Sequence, residues 1–465
     1  MKMEPPFDIS ADLDTPVSTY LKLGALKPRY LLESVEGGAY LARYSFLGFG
    51  EVTDLRLDAS GLRVNGQEQQ RPGSADELLA ALRATLAKTP QLQPAVDELP
   101  FSGGLVGIAG YDLVRYFERL ESAPDGAAIP ESPEAAYLAT ESLLIFDHLT
   151  RRIALLHSGT EAERTELRGE VIRLLRGPLP EPVTPGTYSV PEQSLSQDEF
   201  KAAVAKSKEY ITLGDIYQIV LSVRFSGTHT LSPFETYRAM RLINPSPYMF
   251  FFDLGDMQVV GSSPEALVKC HDGHAALRPI AGTRPRGSDE AEDVAHETSL
   301  LADKKENAEH VMLVDLARND LGRVATAGSV YVEPYRSIER YSHVMHIVSG
   351  VQGELADDKD AFDLFAAAFP AGTLVGAPKV RAMQLIDEME PVRRGVYAGT
   401  VGYFGNGGDM DHAIAIRTLV FNDGEYSYQA GAGIVADSVP QTEYEEVLAK
   451  SAILRRALAM AGEGL

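Results

Sequence analysis

Residues 216–225 carry the clearest strand pattern in the chain. The odd-numbered positions from 217 to 225 are all apolar or aromatic, whereas Gln218, Ser222 and Arg224 stand at alternating positions. Side chains that alternate in this way point to opposite faces of a strand. The pattern therefore predicts a strand that packs on a core with one face and lines a cavity with the other.

A second pattern, starting at residue 303, predicts a helix. Asp303 stands where a capping residue is expected, and Glu309 falls on the same helix face as Met312, Leu313 and Leu316. An isolated carboxylate on an apolar stripe is costly to bury unless it is paired or bound to a metal ion. Glu309 is therefore a candidate functional residue.

The stretch from residue 429 to 450 is where we expect the chemistry to be centred. It begins as a strand and reaches a predicted turn of small residues at Gly431, Ala432 and Gly433. Glycine lets the backbone bend and lets N–H groups approach an anion with no Cβ in the way. This segment is therefore a candidate anion site.

A helix is predicted directly after this turn. Ser438 followed by Gln441 has the pattern of a capping box, and Pro440 is tolerated in a first helical turn. Glu446 and Lys450 then fall on one face of the helix. Taken alone, these two residues are more typical of an ordinary surface ion pair than of a catalytic site.

The distribution of proline indicates how the chain is divided. Five prolines fall between residues 177 and 191, which excludes a regular helix or a central strand there. We predict a linker or crossover at 177–195, between a first part at 1–176 and a second part at 196–465. A chain of 465 residues is long enough for two domains or one large composite core.

Composition narrows the class of protein. A net charge of −23 argues against nucleic acid or an anionic membrane as the main partner. The single cysteine, Cys270, allows no internal disulfide and suits a reducing, cytoplasmic location. No apolar run approaches the ~20 residues of a membrane span. Tryptophan is absent from the whole chain.

Five segments carry motifs that are specific only in combination. They lie at residues 214–222, 279–284, 308–320, 370–379 and 429–446. Jointly they resemble the chorismate-utilising enzymes, and the whole chain resembles the family of large (component I) subunits of anthranilate synthase. The resemblance implies an α+β fold, a large two-sheet β-sandwich flanked by helices. Its N-terminal part would be regulatory, and its chorismate-binding part catalytic.

The resemblance also implies a reaction and a metal ion. Chorismate and ammonia would be converted to anthranilate and pyruvate, the first step of tryptophan biosynthesis. Mg²⁺ would bridge the ring carboxylate of chorismate and two glutamates, Glu309 and Glu446, since hard oxygen ligands suit this ion. The backbone N–H groups of Gly431, Ala432 and Gly433 would bind a substrate carboxylate.

Further substrate contacts follow from the same resemblance. Arg417, helped by Tyr397, would clamp the enolpyruvyl carboxylate of chorismate. Thr373 would hold the pyruvyl part, and Gly282 and Thr283 would line the ring. The substrate would thus be held at both of its carboxylates.

Acid–base roles and the product are read from four positions. By resemblance, His346 would be the acid that assists loss of the C4 hydroxyl, and Lys450 would balance the glutamates. Relatives that add water carry a lysine base where this chain has Gln218, and aminodeoxychorismate-forming relatives carry a nucleophilic lysine where Ala281 stands. Both departures favour direct attack of ammonia at C2. Aminodeoxychorismate, isochorismate and salicylate remain the alternative products.

The resemblance implies two partners besides chorismate. The chain has no Gly-x-Cys-x-Gly motif, so ammonia would come from a separate glutamine amidotransferase subunit, component II. Free L-tryptophan would inhibit the enzyme at a site formed by Glu33, Ser34, Pro247, Tyr248 and Met249. An alternative of another class is a catalytically inactive regulator, which would bind tryptophan without turnover.

Overall fold

The computed structural model describes residues 6–35, 43–96, 99–120, 132–341 and 344–465. Within these ranges the helices are α1 Pro16–Lys22, α2 Ala75–Leu86, α3 Val114–Phe117, α4 Glu161–Leu175, α5 Gln197–Leu213, α6 Pro233–Ile243, α7 Glu290–Ala302, α8 Lys304–Gly322, α9 Ala361–Ala368, α10 Lys379–Met389 and α11 Pro440–Glu463. Short 3-10 helices lie at Gly24–Leu26, Tyr111–Leu113 and Gly372–Leu374.

The strands are numbered in chain order. Those of the first part are β1 Ile9–Ser10, β2 Pro28–Glu33, β3 Tyr44–Asp58, β4 Gly61–Val64, β5 Gln67–Gln69, β6 Gly104–Ala109, β7 Ala135–Asp147, β8 Arg152–His157 and β9 Glu192–Gln193. Those of the second part are β10 Gln218–Thr228, β11 Tyr248–Asp253, β12 Met257–Ser263, β13 Ala266–His271, β14 His274–Leu277, β15 Ile280–Pro285, β16 Tyr331–Val332, β17 Ser337–Arg340, β18 Val344–Val348, β19 Val351–Glu354, β20 Gly376–Ala377, β21 Thr400–Gly405, β22 Met410–Ile414, β23 Thr418–Asn422 and β24 Glu425–Ile434.

One long antiparallel sheet joins most of the described strands. Its main run of hydrogen-bonded neighbours is β19-β14-β13-β22-β21-β6-β7-β3-β2-β11-β12-β23-β24-β10. Strands of the first part therefore lie in the middle of the run, with strands of the second part on either side. A separate sheet contains β15, β18 and β17.

Alternate residues of a strand join different cores, because both faces of the long sheet are buried. On β11, Phe250 and Phe252 belong to a cluster that collects inward-facing side chains of β2, β3, β6, β7, β12 and β21. Met249 and Phe251 belong to a larger cluster that also holds helical residues such as Leu454. A strand repeats every two residues, so one face meets the opposite layer of sheet and the other meets helices.

This architecture confirms the α+β fold class, a two-layer β-sandwich flanked by helices. The division at 177–195 stays a prediction. Strand pairs β6–β21 and β2–β11 join the two parts within one sheet. No helix in the described ranges combines the length and apolarity that crossing a bilayer requires.

Helices α8 and α11, which carry Glu309 and Glu446, begin in different ways. Asp303 caps α8 by accepting hydrogen bonds from two backbone N–H groups, as the sequence predicts. The predicted capping box of α11 is wrong, because Val439 is the N-cap residue and makes no side-chain cap. Ser438 Oγ instead accepts from the N–H of Val435, 3.0 Å away. Pro440 occupies the first turn as expected.

Candidate active site

Gly431 and Gly433 lie inside β24, so the predicted turn is wrong. Ser222 stands opposite Gly431 and Val220 stands opposite Gly433 on β10. The N–H of Ser222 points away from β24, since it donates to the carboxylate of Glu390 at 2.9 Å. In an antiparallel ladder, directly opposite residues either exchange both hydrogen bonds or none. The N–H groups of both glycines therefore also point away from β10.

At these two glycines the outer edge of β24 pairs with no strand of the described residues. The pairing of β23 with β24 runs only from Asn422 opposite Glu425 to Leu419 opposite Tyr428. The N–H groups of the two glycines thus face an open edge, whereas the N–H of Ala432 between them faces β10. Two of the three predicted donors are placed to bind an anion, and the strand provides this without a turn.

Gln218 begins β10, and its amide reaches two predicted site residues. Its buried side chain lies beside the carboxylate of Glu309 and lowers the pKa of that group, against the effect of burial. Its Nε2 also lies 3.0 Å from the position that a Cβ on Gly433 would take. Tyr217, which the sequence pattern places on the apolar face, precedes the strand and is 70% exposed. That part of the pattern is therefore wrong, and the polar face is right.

The carboxylates of Glu309 on α8 and Glu446 on α11 act on each other. Burial raises the pKa of Glu309, and the negative charges of Glu306 and Glu446 raise it further. A carboxylate that is destabilised by like-charged neighbours is stabilised by a divalent cation. Two carboxylates from different helices leave coordination positions for substrate and water oxygens, which fits Mg²⁺. The donor set is consistent with the predicted metal.

Lys450 connects the acidic pair to the glycine edge. Its Nζ lies 2.7 Å from Glu446 Oε1 and donates to the C=O of Gly431 at 3.1 Å. Both side chains of the ion pair are about half exposed, so the pair alone contributes little stability. Its position matters more than its strength, because Lys450 lies between Glu446, a predicted metal ligand, and the open strand edge.

Arg417 presents a partly buried guanidinium that hydrogen-bonds no described residue. Burial lowers the pKa of Arg417, and the nearby carboxyl of Glu265 acts in the opposite direction. The backbone of Arg417 has φ 50°, in the left-handed region that non-glycine residues rarely adopt. A desolvated cation with no hydrogen-bonding partner is a strong binding point for an anion.

Glu265 is a site residue that the sequence analysis does not identify. It follows β12, and its Oε1 accepts a hydrogen bond of 3.1 Å from Thr373 Oγ1. Burial raises the pKa of Glu265 to about 7, although Thr373, Lys450 and Arg417 lower it. Near neutral pH this carboxyl is therefore partly protonated and able to donate a proton. The only signal in the sequence is a carboxylate at the end of an apolar strand.

Gly282, Thr283 and His346 lie together on the small sheet. Thr283 stands opposite His346, and Gly282 forms a bulge with φ +70°. His346 Nδ1 lies 2.9 Å from the C=O of Gly282, which can only accept. We therefore assign the proton to Nδ1, so Nε2 is an acceptor. Burial lowers the pKa of His346, which favours this neutral form.

Tyr397 lies beside β24. Its hydroxyl is 2.7 Å from the position of a Cβ on Gly431, so only glycine leaves room there. Burial raises the pKa of Tyr397, which keeps its hydroxyl protonated as a donor. The ring lies 5.6 Å from the guanidinium carbon of Arg394.

These contacts bring the predicted substrate and metal residues into one site. The charge of Arg417 acts on both Glu265 and His346, which links the small sheet to the end of β12. The charge of Lys450 lowers the pKa of Glu265, and its Nζ donates to the C=O of Gly431. The chemical roles of these residues stay predictions, but their proximity is a property of the fold.

A cavity of about 950 Å³ is lined by none of these site residues, although Pro264 and Ala266, the chain neighbours of Glu265, are part of its wall. All five predicted inhibitor residues line it: Glu33, Ser34, Pro247, Tyr248 and Met249. Strand pairing explains their proximity, because β2 and β11 are neighbours with Glu33 opposite Met249. The cavity is large enough for an amino acid with an aromatic side chain.

Within this cavity the carboxylate of Glu33 is held in place. Its Oε2 accepts hydrogen bonds from the hydroxyl of Tyr237 and from Nε of Arg241, the latter at 3.1 Å. The side chain is buried, and the two donors fix the orientation of its carboxylate. Such a group suits recognition of an ammonium.

Known proteins resemble the chain over nearly its whole length. The chorismate binding enzymes match residues 28–456. Anthranilate synthase component 1 of Pseudomonas aeruginosa is 46% identical over 475 residues, covering 99% of this chain and 96% of that protein. The same component of Thermus thermophilus is 46% identical over 462 residues, covering 98% and 97%.

Solved structures agree with this assignment. Anthranilate synthase component I of Streptococcus pneumoniae has a TM-score of 0.78 at 38% identity, over 89% of this chain and 92% of that one. MenF of Escherichia coli, a menaquinone-specific isochorismate synthase, shares the fold with a TM-score of 0.70 at 19% identity, over 96% and 92%. The chain therefore belongs to the chorismate-binding enzymes and, within them, to the anthranilate synthase component I family.

Proposed function

We propose that the chain is the chorismate-converting subunit of an anthranilate synthase. The observation that carries this proposal is the guanidinium of Arg417, which lacks a hydrogen-bonding partner among the described residues and lies near the protonatable carboxyl of Glu265. Chorismate has two carboxylates and a hydroxyl that must leave. Arg417 offers a site for one carboxylate, the Gly431–Gly433 edge offers a site for the other, and Glu265 offers a proton for the hydroxyl.

Binding would fix the ring before the reaction begins. Glu309 and Glu446 would hold Mg²⁺, which when bound neutralises the ring carboxylate. The N–H groups of Gly431 and Gly433 would donate to that carboxylate, while Arg417 would hold the enolpyruvyl carboxylate. Fixing both ends sets the face of the ring that ammonia reaches.

Proton transfer divides between two groups in this proposal. As ammonia attacks C2 and the double bonds shift, the C4 hydroxyl takes a proton from Glu265 and leaves as water. This differs from the role that the resemblance implies for His346. Its neutral imidazole presents an acceptor at Nε2, which suits taking the C2 proton as the C3–O bond breaks. The ring becomes aromatic, and the electrons of the C3–O bond leave with the enolpyruvyl group, which takes up a proton to become pyruvate. The proton that the attacking nitrogen loses balances the one that leaves with water.

The product follows from two neutral side chains. Gln218 cannot act as the base that a water nucleophile needs, and its amide lies beside the carboxylate of Glu309. Ala281 cannot form a covalent adduct at C2. Ammonia needs neither group, so anthranilate is the expected product. Aminodeoxychorismate, isochorismate and salicylate are the outcomes that would contradict this assignment.

Ammonia would be supplied by a glutamine amidotransferase subunit in the cytoplasm. The relatives are named component 1, which implies a second component. Regulation would come from L-tryptophan bound in the 950 Å³ cavity, with its ammonium at Glu33 and its carboxylate near Ser34. Strand β2 carries Glu33 at its end and lies in the same long sheet as β24.

The deciding experiment uses the purified chain with chorismate, Mg²⁺ and an ammonium salt. We expect anthranilate, followed by its fluorescence, and pyruvate to form in equimolar amounts. Chromatography identifies the aromatic product. Arg417→Met, prepared in parallel and assayed at chorismate concentrations below the wild-type KM, controls for contaminating activity. Another product would overturn the assignment within the family. Tryptophan binding without any chorismate turnover would support the regulator instead.

A further inference from the structure

A buried ion pair lies beneath the site and takes no part in the chemistry above. Glu390 follows α10, and Arg394 lies in the loop before β21. Arg394 Nη2 is 2.7 Å from Glu390 Oε1 and its Nε is 2.9 Å from Glu390 Oε2. Their side chains are 1% and 3% exposed. Burying two charges is costly, so a gain in stability does not by itself explain why the pair is buried here.

Along one stretch of β10, on the side away from β24, the ion pair takes the place of a neighbouring strand. On the side away from β24, β10 pairs with β20 at Gln218 and Ile219 and with β9 at Phe225 and Ser226. Between these pairings, Arg394 Nη2 donates to the C=O of Val220 at 2.7 Å. In the same gap the N–H of Val220 donates to the C=O of Val375 at 2.9 Å.

Glu390 receives the next donors along the same gap. The N–H and Oγ of Ser222 donate to its Oε1 at 2.9 and 2.7 Å. Gln429 on β24 donates to Ser222 Oγ at 2.8 Å, which joins the two strands across their polar face. The ion pair thereby fixes the part of β10 that stands opposite Gly431.

Arg394 also reaches two substrate-facing elements. Its Nη1 donates to the C=O of Leu374 at 2.7 Å, and Leu374 directly follows Thr373 in the 3-10 helix. Its guanidinium carbon lies 4.9 Å from the ring centroid of Tyr111 and 5.6 Å from that of Tyr397. One buried cation therefore contacts the Thr373 turn, Tyr397 and the strand opposite the glycine edge.

We infer that the Glu390–Arg394 pair is a positioning element for catalysis. It sets the distance between the Thr373–Glu265 proton donor and the glycine edge that holds the substrate. This inference rests on the proposed function, since it concerns the same reacting groups. Arg417 hydrogen-bonds neither residue of the pair, so the pair should govern turnover more than capture of chorismate.

Arg394→Lys is the main test. Lysine keeps the charge, but its single ammonium cannot reach Glu390, Leu374 and Val220 in the geometry of a planar guanidinium. A misplacement of about 1 Å costs on the order of 100-fold in rate. We expect kcat to fall at least about tenfold, while KM for chorismate changes less than about threefold. Chorismate consumption is measured whichever product the wild type forms.

Ser222→Ala keeps the inference testable if the lysine variant does not fold. It removes one hydroxyl from the network and leaves no buried charge unpaired, so we expect a smaller fall in kcat, about threefold to tenfold. Arg115→Gln is the matched control. It breaks the pair in which Arg115 Nη2, on α3, donates to both carboxylate oxygens of Asp387 at 2.8 Å, close to Glu390 at the end of α10, and we expect turnover close to wild type.

Thermal unfolding and tryptophan binding are measured on every variant. A folded Arg394→Lys with wild-type kcat would overturn the inference, even if it were less stable, because the pair would then be structural only. Equal losses in Arg394→Lys and Arg115→Gln would overturn it as well. If the wild type consumes chorismate but makes no anthranilate, the proposed product is wrong while the same kcat comparison still decides the positioning role.

Discussion

Thr373 Oγ1 donates a 3.1 Å hydrogen bond to Glu265 Oε1, joining residues 108 positions apart in the chain. This contact favours the ionised carboxylate, yet burial prevails and raises the pKa of Glu265 to about 7. The site therefore holds a carboxyl group that changes its charge near neutral pH. Both the stability of the protein and its rate should depend on that charge.

Glu265→Gln should increase stability at alkaline pH. The ordinary pKa of the carboxyl is 4.5, so between 4.5 and about 7 the unfolded chain loses this proton first. Stability from this group is thus present at low pH and lost as pH rises through about 7. The loss is as much as about 3 kcal/mol at 1.36 kcal/mol per pKa unit. Glutamine avoids it and still accepts from Thr373.

Urea unfolding of both proteins at about pH 5 and about pH 8 measures this effect. The advantage of Glu265→Gln should appear mainly at the higher pH, while kcat falls because glutamine cannot donate the proton. A stability difference that is the same at both pH values would show that Glu265 does not titrate in this range. Undiminished kcat in the variant would remove Glu265 as the acid.

Arg417→Met should weaken chorismate binding and leave the free protein folded. Losing one partner of a buried, hydrogen-bonded charge pair costs about 2–5 kcal/mol. KM for chorismate should therefore rise by roughly 30-fold or more, at 1.4 kcal/mol per tenfold. Unfolding of the free protein should be unchanged or shifted upward, because a desolvated cation is removed. Exposed Arg455→Met is the control, and equal KM values for the two variants would contradict the prediction.

Glu309→Gln and Glu446→Gln should each raise the Mg²⁺ concentration needed for half-maximal activity. Loss of groups that only orient metal ligands already costs about 10- to 100-fold in metal affinity. A direct ligand should cost at least about tenfold. Glu445→Gln on the same helix is the control, since its carboxylate bonds Gln441 instead. An Mg²⁺ titration that is identical for all three variants would remove the metal assignment.

Some of this site can be predicted from the sequence, because local pattern decides it. The polar face of β10 and the carboxylate of Glu309 on an apolar helix stripe both depend on residues a few positions apart. The resemblance supplies residues such as Arg417 and His346, which no periodicity distinguishes. Their proximity in the structure depends on strands that are distant in sequence.

The remaining features depend on long-range contacts. Gly431 and Gly433 have turn composition, but pairing with β10 over its whole length makes them strand residues. The pKa of Glu265 is set by a fold that buries it beside Thr373 and Arg417. The Glu390–Arg394 pair has ordinary i,i+4 spacing, and only the gap along β10 shows what it supports.

Ser34→Phe should relieve inhibition by tryptophan without changing the uninhibited rate. The ring would occupy the 950 Å³ cavity and remove a hydrogen bond to the ligand carboxylate, a contact worth about 1.5–3 kcal/mol. We expect the tryptophan concentration needed for half-maximal inhibition to rise at least about tenfold. Ser34→Ala tests the hydrogen bond alone, and Ser60→Phe on an exposed turn is the control.

Binding can be followed directly, because the chain contains no tryptophan. Indole fluorescence then reports only the ligand, and its anisotropy rises on binding. Wild-type protein that stays fully active at millimolar tryptophan would end the regulatory proposal. Ser34→Phe that binds tryptophan as the wild type does would place the inhibitor elsewhere.

Gln218→Lys should not convert the enzyme into an isochorismate synthase. The Gln218 amide lies beside Glu309 and against Gly433, so a lysine there would place its ammonium beside the proposed metal ligands. It would pair with Glu309 and compete with Mg²⁺, rather than remain neutral as a base for water. We expect lower anthranilate formation and a higher Mg²⁺ requirement. Gln218→Leu, which removes the amide without adding charge, should lower the rate with a smaller change in Mg²⁺ requirement. Product chromatography that shows isochorismate from the lysine variant alone would mean that residue 218 by itself selects the nucleophile.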